Sequence, residues 1–374
     1  MEITYCITKF NFFSSFKGGQ IAHACGILNG LKKNNIDCKF LGPKNEYYAN
    51  DFFNNNVNHL TFKLNIYYQI FTLIKKNKKI LIRKNIENIL ILYFFSFLLP
   101  LRYRKNVIFE INGFTFERYL EKFPINKIYP FVLIIHKVIL RRFKYIYVVS
   151  SKLKEDLLSG FLKLSPENIK YIPNGVDLQP FKRQFKVNDT KFIFLFFGIY
   201  QDYNDYTLII SAFNALRKKN GSKVQLHFIG FGKNKNLIES FSNPDQGIYS
   251  HSPKRIHEIK SMKFINDFCV GLIPLSKNKS VKYLSPIKLF DYINMGMPVI
   301  VSDIYTDDKD LPHVSEFIFK YKTGNCISLF NSMSSIIENS LPFFKRIYNN
   351  KSKFCNENSW QKRMEILLKN YINN

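Results

Sequence analysis

The sequence predicts an α/β protein with two doubly wound parallel sheets, one in each half of the chain. Three observations lead to this fold class. Short strand-like runs such as ITYCIT alternate with longer runs of helical period. A polar, irregular stretch near residues 180–190, LQPFKRQFKVNDTK, interrupts the alternation. A second β-α series follows it, so we expect two domains with the carboxyl ends of their sheets facing a ligand cleft.

In the first half of the chain, strand-like and helix-like segments follow one another as βα units. Strands are predicted at ITYCIT, CKFLGP, KKILIR, VIFEING and YIYVVSS, with helices at QIAHACGILNGLKKN and KLKEDLLSGF. This alternation is typical of one doubly wound sheet. We assign residues 1–180 to the first domain.

The second half repeats the alternation after the polar stretch. Strands are predicted at FIFLFFG, VQLHFIG, CVGLIPL and VIVSD, with helices at DYTLIISAFNALRKKN and IKLFDYIN. We assign residues 181–357 to the second domain. The last segment, SWQKRMEILLKNYINN, predicts a terminal helix at about residues 358–374, which we expect to pack back on the first domain.

The chain is strongly basic. Its 374 residues have a formal net charge of +27, and the basic excess runs through both halves. Such a charge suits an acidic membrane surface, a phosphorylated substrate or a nucleic acid. A compositional bias toward Lys, Asn, Ile, Phe and Tyr would give the same charge without selection for it. No RNA- or DNA-binding motif accompanies the charge, so we expect no nucleic-acid partner.

Cysteine usage and apolar segments bear on the compartment. The six cysteines stand singly, as is typical of a reducing cytosol, and the start, MEITYCITKF, lacks the features of a signal peptide. The apolar residues 89–101 are too few for a bilayer span of about 20 residues. They and residues 131–144 are either core helices or segments resting on an anionic membrane. We expect a cytoplasmic protein, with peripheral attachment to the inner face of the membrane left open.

The segment SPIKLFDYINMGMPVIVSD predicts a short helix followed by a buried strand. Ser285 is the expected N-cap and Pro286 the expected first helical residue. Lys288 is then unusual, because a cation in the first turn opposes the positive end of the helix dipole. Asp291 lies three residues on, on the same face of the helix, where an ordinary surface Lys–Asp pair is one explanation.

Two glycine turns are further candidates for ligand contact. Gly18 and Gly19 precede the first helix, and the pair is either a simple turn or a place where backbone N–H groups approach an anion. His23 lies one turn further along this helix and is either structural or close to the cleft. Pro173, Asn174 and Gly175 predict a tight turn after a short strand.

Five segments, in order, resemble glycosyltransferase family 4. They are KGGQIAHACGILNGLKKNNIDCKFLG, VVSSKLKEDLLSGFLKLSPENIKYIPNGVDLQPF, FFG with LIISAF, LHFIGFGKN, and SPIKLFDYINMGMPVIVSD. The resemblance implies the GT-B fold, α/β with two Rossmann-like domains facing across a cleft. It also implies retaining transfer from a nucleotide-diphosphate sugar, without a metal or other cofactor. The implied acceptor is a surface glycan, lipid-linked, as in capsule, O-antigen or lipopolysaccharide synthesis.

The resemblance further implies roles for residues near the donor. Lys288 and the N-terminus of its helix would bind the diphosphate, and Asp291 would accept hydrogen bonds from ribose hydroxyls. Acidic runs at residues 202–205 and 307–310 are interpreted as loops, so no metal site is predicted. The implied donor-binding residues are Gly18, Gly19, Gly198, Gly230, Ser250, His251, Ser285, Pro286, Ile287, Lys288 and Asp291.

The sequence departs from the family pattern at five positions. Tyr283 stands where many members have the first of two Glu residues, and Asp291 stands where they have the second. Ile199 and Asn204 stand where many members have an Arg and a Lys for the phosphates. Asn112 stands where a His commonly lies near the transferred sugar, and Asn cannot act as a general base.

The remaining candidates lie in the first domain. Glu110 is either an acid/base or sugar-hydroxyl group or a paired structural carboxylate, and His23 would contact acceptor or donor. Arg83 ends a predicted strand and would point into the cleft. Two other functions fit the same fold, namely a nucleotide-sugar epimerase and a non-catalytic scaffold in a membrane glycan-assembly complex. The implied catalytic residues are Lys288, Asp291, Glu110, Asn112 and His23.

Overall fold

The structure, a computed structural model, describes most of the chain. The described residues are 2–7, 19–43, 57–60, 63–83, 97, 104–112, 134, 138, 140–143, 145–159, 164–178, 181–185, 191–254, 256–277, 281, 283–305, 310–339 and 341–371. Gly18 and most of the apolar runs 89–101 and 131–144 lie outside the described residues, as do residues 306–309.

The first domain contains a sheet of seven described strands, all parallel. Its order is β3-β2-β1-β4-β5-β6-β7, which reverses between the first and fourth strands. The carboxyl ends of those two strands flank the crevice where doubly wound sheets bind ligands. The strands are β1 (Glu2–Ile7), β2 (Asp37–Pro43), β3 (Val57–Leu60), β4 (Lys79–Arg83), β5 (Val107–Ile111), β6 (Tyr145–Val148) and β7 (Ile169–Tyr171).

The inner strands of this sheet are almost completely buried, because helices cover both of its faces. Successive strand residues point to opposite faces and therefore join different core clusters. Phe109 of β5 packs with one cluster, and Tyr5 of β1 packs with the other. The described helices of this domain are α1 (Gly19–Lys33), α2 (Lys63–Lys75) and α3 (Ser151–Ser159).

The second domain contains a six-stranded described sheet, again all parallel. Its order, β10-β9-β8-β11-β12-β13, repeats the pattern of the first sheet and reverses between β8 and β11. Two sheets of this topology give two crevices that a single ligand can bridge. The strands are β8 (Phe192–Ile199), β9 (Val224–Phe231), β10 (Ile248–His251), β11 (Phe268–Ile273), β12 (Val299–Ser302) and β13 (Ile318–Tyr321).

The second sheet also carries helices on both faces. Leu289 and Phe354 belong to the cluster on one side, and Phe213 and Leu329 to the cluster on the other. The first of these helices begins after Asp205, whose carboxylate accepts a hydrogen bond from the backbone N–H of Leu208 at 3.0 Å. The helices are α4 (Tyr206–Asn220), α5 (Lys235–Phe241), α6 (Ile256–Lys260), α7 (Ile287–Asn294), α8 (Cys326–Ile337) and α9 (Leu341–Glu357).

The last helix, α10 (Trp360–Tyr371), returns to the first domain and packs along α1. Its first residue, Trp360, fills a notch that only glycines leave open. A Cβ at Gly26 would lie 2.1 Å from Trp360 Cε2, and a Cβ at Gly30 would lie 2.4 Å from the Trp360 carbonyl oxygen. The two glycines that weaken α1 as a helix are therefore required for the docking of α10.

The two segments that connect the domains pair with each other. The backbone N–H of Val176 donates to the Asn358 carbonyl at 2.8 Å, and the N–H of Trp360 donates to the Val176 carbonyl at 3.1 Å. Gly175 lies against the same tryptophan, since a Cβ there would be 2.8 Å from the Trp360 nitrogen. The Pro-Asn-Gly turn and the start of α10 thus form one junction beneath the cleft.

Candidate active site between the domains

Two helix N-termini meet where the domains approach each other. Gly19 begins α1 and Ile287 begins α7, and a Cβ at Gly19 would lie only 3.7 Å from Ile287 Cδ1. Neither helix has an acidic residue in its first turn. Helix N-termini present N–H groups without intrahelical partners and a positive dipole end, so two of them side by side favour a single anion.

Helix α7 begins one residue later than the sequence indicated. Pro286 is its N-cap, with φ −72° and ψ 113°, and the first helical residue is Ile287. The prediction that Ser285 caps the helix is wrong, because Ser285 precedes the cap, and its carbonyl accepts a hydrogen bond from Asn174 Nδ2 at 2.6 Å. The Ser285 hydroxyl is buried without a hydrogen-bond partner in the described part of the protein.

Lys288 points its ammonium toward the end of β8. Its Nζ lies 3.9 Å from the centre of the Phe196 ring, and a Cβ at Gly198 would lie 3.8 Å from the same Nζ. Burial lowers the pKa of Lys288 to about 7. Among the residues that the structure describes, no carboxylate forms an ion pair with it. Within the described part of the chain, the site therefore offers an amino group whose ammonium form has no carboxylate counter-ion.

Asp291 has other charged neighbours. Burial raises its pKa to about 7, Lys260 opposes this shift, and Asp177 adds to it. Lys288 is not among the groups that perturb it. The ordinary Lys–Asp surface pair is thus not formed, and Asp291 is a carboxyl group whose charged form costs free energy until a polar partner arrives.

The glycines of the predicted donor site bring the ends of β8 and β9 together. A Cβ at Gly230 would lie 2.0 Å from the Gly198 carbonyl oxygen, so any side chain there would separate the strands. Gly198 has φ +120° and Gly232 has φ +135°, conformations that residues with side chains rarely adopt. These glycines are required by the backbone, and they also leave the space beside Lys288 uncovered.

Ser250 and His251 end the edge strand β10. His251 Nε2 lies 2.9 Å from Nδ1 of His227, a residue on β9 that the sequence interpretation did not consider. The His227 ring stacks on Tyr249 with 4.7 Å between centroids. Burial, aided by His251, lowers the pKa of His227 to about 3, so the pair is a neutral, stacked polar cluster at the sheet edge.

The departures from the family pattern serve structural contacts. Tyr283 is buried in the core cluster of the first domain, and its hydroxyl donates to the Asp156 carboxylate on α3. Asn204 Nδ2 lies 3.1 Å from the Tyr206 hydroxyl, within the turn before α4. Ile199 ends β8. Neither Asn204 nor Ile199 supplies a cation, so at these positions the positive charge of the family pattern is absent, whereas Lys288 lies beside the end of β8.

In the first domain, Glu110 is completely buried and surrounded by donors. It accepts a hydrogen bond from the Tyr5 hydroxyl at 2.6 Å, and its Oε1 lies 2.7 Å from His23 Nε2 and 3.7 Å from Arg83 Nε. Burial raises the pKa of Glu110, but the His23 and Arg83 charges outweigh it and lower the pKa to about 2. This geometry favours the paired structural carboxylate, and Arg83 points at Glu110.

Asn112, just beyond the end of β5, is partly exposed, unlike Glu110 and His23. The structure therefore separates the first-domain candidates into a surface residue and a buried pair. Asn174, which also contacts His23, was recognised in the sequence only as part of a turn, because its partner is 151 residues away. The Pro-Asn-Gly pattern identified the turn but not the side-chain contact.

The described residues contain neither a metal-binding cluster nor a membrane-spanning helix. No group of three or more His, Cys, Asp or Glu side chains is arranged to hold a metal ion in that part of the chain. None of the helices found there has both the length and the apolarity needed to cross a bilayer.

Comparison with known proteins agrees with this architecture. Residues 17–180 match the family model described as Glycosyltransferase Family 4. No curated protein matches the sequence. The fold resembles the apo form of lipopolysaccharide outer core galactosyltransferase WaaB, with 13% identity, a TM-score of 0.61, and 99% of this chain and 100% of that chain covered.

Two further solved structures have the same fold. Anabaena Alr3699/HepE in complex with UDP-glucose shares 13% identity at a TM-score of 0.67, covering 99% of this chain and 100% of that one. WaaG, a glycosyltransferase involved in lipopolysaccharide biosynthesis, shares 10% identity at a TM-score of 0.63, covering 100% of both chains. The predicted α/β GT-B fold is confirmed.

Proposed function

We propose that this chain, whose residues 17–180 match the family 4 glycosyltransferase model, is a glycosyltransferase of that family and performs retaining transfer from a nucleotide-diphosphate sugar to a glycan acceptor. The observation that best supports this proposal is the position of Lys288, a partly buried lysine near the N-termini of α1 and α7. Among the described residues, its ammonium has no carboxylate partner. A diphosphate satisfies all three, because its charges balance the ammonium and its oxygens accept from the free N–H groups.

The roles of the other residues follow from this placement. Asp291, whose charged form is disfavoured in the folded protein, gains hydrogen-bond donors when it receives ribose hydroxyls. Gly19, Gly198 and Gly230 let the backbone approach the donor, with Ser250, His251, Ser285, Pro286 and Ile287 lining the same side. Asn112 faces the transferred sugar and binds a hydroxyl.

The chemistry that we infer uses leaving-group stabilisation without a protein nucleophile. Glu110 and His23 are buried against each other, so neither reaches an anomeric carbon. Lys288 and the α7 N-terminus stabilise the charge that develops on the departing diphosphate, which is where preorganised donors contribute most. The acceptor hydroxyl then attacks from the face that the leaving group vacates, its proton passes to the departing diphosphate oxygen, and the anomeric configuration is retained. We propose that no metal cofactor takes part.

For the acceptor, we propose a lipid-linked surface glycan of the capsule, O-antigen or lipopolysaccharide type. Two similar structures, WaaB and WaaG, are named as enzymes of lipopolysaccharide synthesis, which supports this class. The net charge of +27 supports a peripheral position on an anionic, cytoplasmic membrane face. Acceptor binding belongs to residues 1–180 and donor binding to residues 181–357.

A panel of nucleotide sugars and nucleoside diphosphates tests the proposal. A ligand at 100 times its dissociation constant stabilises the protein by about 2.7 kcal/mol, which a thermal melt detects. Release of nucleoside diphosphate from one donor, with retained anomeric configuration by NMR, is the expected result. A sugar isomer that stays attached to its nucleotide would identify an epimerase. Absence of binding to every nucleotide would favour the non-catalytic scaffold.

A further inference from the structure

A buried chain of polar contacts crosses from the first domain to the start of α7. Tyr5 donates to Glu110 at 2.6 Å, Glu110 lies 2.7 Å from His23, and His23 Nδ1 lies 2.5 Å from Asn174 Oδ1. Asn174 Nδ2 then donates to the Ser285 carbonyl at 2.6 Å. We call Tyr5, Glu110, His23, Asn174 and the Ser285 carbonyl the cross-domain chain.

The directions of these contacts follow from the donors available. The amide nitrogen of Asn174 donates to a carbonyl, so its oxygen is the atom that faces His23 Nδ1. That ring nitrogen must therefore donate, and Nε2 faces a carboxylate oxygen of Glu110. Both nitrogens of His23 contact acceptors within the protein.

Burial makes this arrangement rigid. Relative exposure is 1% for His23, 0% for Glu110 and 1% for Asn174. A buried polar group that loses its partner costs about 1–3 kcal/mol, so the contacts hold one another in place. The Trp360 ring packs edge-on against His23 at 5.1 Å, and Arg363 Nε donates to the Asn174 carbonyl at 3.4 Å. Helix α10 thus fixes both the ring and the turn.

The end of the cross-domain chain lies at the donor helix. Ser285 directly precedes Pro286, the N-cap of α7, and Lys288 is in the first turn of the same helix. Holding the Ser285 carbonyl therefore sets where the first N–H groups of α7 and the Lys288 ammonium point relative to α1. Without that hold, the two helix N-termini would sample orientations of which only a fraction faces one anion.

We propose that Asn174, oriented by His23 and Glu110, is a positioning residue that aligns the N-terminus of α7 with the first domain, so that the diphosphate site is assembled from both domains. This inference rests on the proposed function. It gives His23 and Glu110 a role without substrate contact, and it makes the Pro-Asn-Gly turn part of the donor site.

The test compares Asn174→Ser with Tyr371→Phe. Serine is too short to reach the Ser285 carbonyl, whereas the control removes another buried side-chain bond, from the Tyr371 hydroxyl to the Ile146 carbonyl, away from α7. Calorimetry with UDP, GDP and ADP should give roughly tenfold weaker binding of the preferred nucleotide to the Asn174→Ser variant than to wild type. The control should bind like wild type. Equal affinity of all three proteins would overturn the proposal.

Hydrogen exchange of the α7 amides tests the alignment without any nucleotide. Asn174→Ser should speed exchange over residues 287–291 about tenfold, because a helix end that loses its hold opens more often, and Tyr371→Phe should leave it unchanged. Unaltered exchange in Asn174→Ser would refute the alignment even if nucleotides fail to bind. A wild-type protein that binds none of the nucleotides contradicts the proposed function instead. The two failures are therefore distinguishable.

The role of His23 is tested by rescue. His23→Leu removes the donor to Asn174 and should weaken nucleotide binding as much as Asn174→Ser. His23→Asn keeps an amide N–H at the place of Nδ1, within reach of Asn174 Oδ1, so it should restore most of the affinity lost in His23→Leu. If both His23 variants bind like wild type, the histidine has no positioning role. If both variants lose affinity equally, the N–H donor is not what positions Asn174, which also contradicts the proposal.

Discussion

Replacing Lys288 with methionine removes the ammonium while keeping an unbranched side chain to cover Phe196. The partly buried Nζ lies over that ring and lacks a carboxylate partner in the described structure, so an effective dielectric constant near 20 applies. A unit charge of a diphosphate about 4 Å away then interacts by about 4 kcal/mol. If about 3–4 kcal/mol of this is realised in the transition state, turnover falls by roughly two to three orders of magnitude.

The assay is the release of nucleoside diphosphate from the donor found in the panel, measured across a range of about pH 6 to 9, which brackets the titration of Lys288. Because the pKa of Lys288 is lowered to about 7, the free enzyme loses this cation as the pH rises through that value. The ratio kcat/KM should therefore fall above about pH 7. A bound diphosphate favours the ammonium, so kcat should fall only at higher pH.

Two variants control this experiment. Lys288→Arg keeps its charge throughout the range and should remove the fall in kcat/KM between about pH 7 and 9. Lys235→Ala removes an exposed lysine of the same domain and should change neither turnover nor its pH dependence. Turnover of Lys288→Met within a few fold of wild type would refute the assignment of Lys288 to the leaving group. An unchanged pH profile in Lys288→Arg would refute the titration argument.

Three further predictions concern packing and charge. Gly26→Ala should lower the melting temperature by several degrees in calorimetry, because its Cβ would lie 2.1 Å from Trp360 Cε2. The better helix propensity of alanine, about 1 kcal/mol, does not offset this clash. Lys32→Ala replaces an exposed residue of the same helix and should leave the melting temperature unchanged. Asp291→Asn should be about 1–3 kcal/mol more stable than wild type at about pH 8 and equal to it near pH 4, while binding nucleotide less tightly. Burial raises the pKa of Asp291 to about 7, so the neutral carboxyl stabilises the folded state at acid pH relative to its charged form, and this stabilisation is lost as the pH rises through 7. If denaturant titrations still showed Asp291→Asn to be more stable than wild type at about pH 4, this explanation would be contradicted. Sedimentation with anionic vesicles should weaken with added salt and be absent with neutral vesicles, whereas salt-insensitive binding would exclude the basic surface as its cause.

The fold and part of the site could be predicted from local patterns. The β-α alternation identified both domains, because buried parallel strands and amphipathic helices have different periods that are visible within about ten residues. Lys288 could be singled out because its placement opposes a local rule, the helix dipole. The N-cap at Pro286 was missed because a serine followed by proline has two plausible registers, and the distant Asn174 contact selects one of them.

Contacts between distant residues could not be predicted in this way. Nothing in the sequence near Tyr283 indicates that its hydroxyl donates to Asp156, which is 127 residues away. Gly26 and Gly30 look like weaknesses in a helix until Trp360 is seen to occupy the space they leave. The choice between an acid/base Glu110 and a structural one likewise needed the positions of His23 and Arg83.

The sequence by itself determined the two doubly wound domains, the junction between them and an anomalous lysine at a helix start, since each is written in local periodicity, turn chemistry and charge. Only the tertiary structure decided what the polar residues do. It buried Glu110 and His23 against Asn174, left Lys288 without a carboxylate partner in the described residues, and set α1 and α7 end to end. The physical reason is that burial and hydrogen bonding depend on which distant segments meet, and these contacts set the charge and orientation of each group.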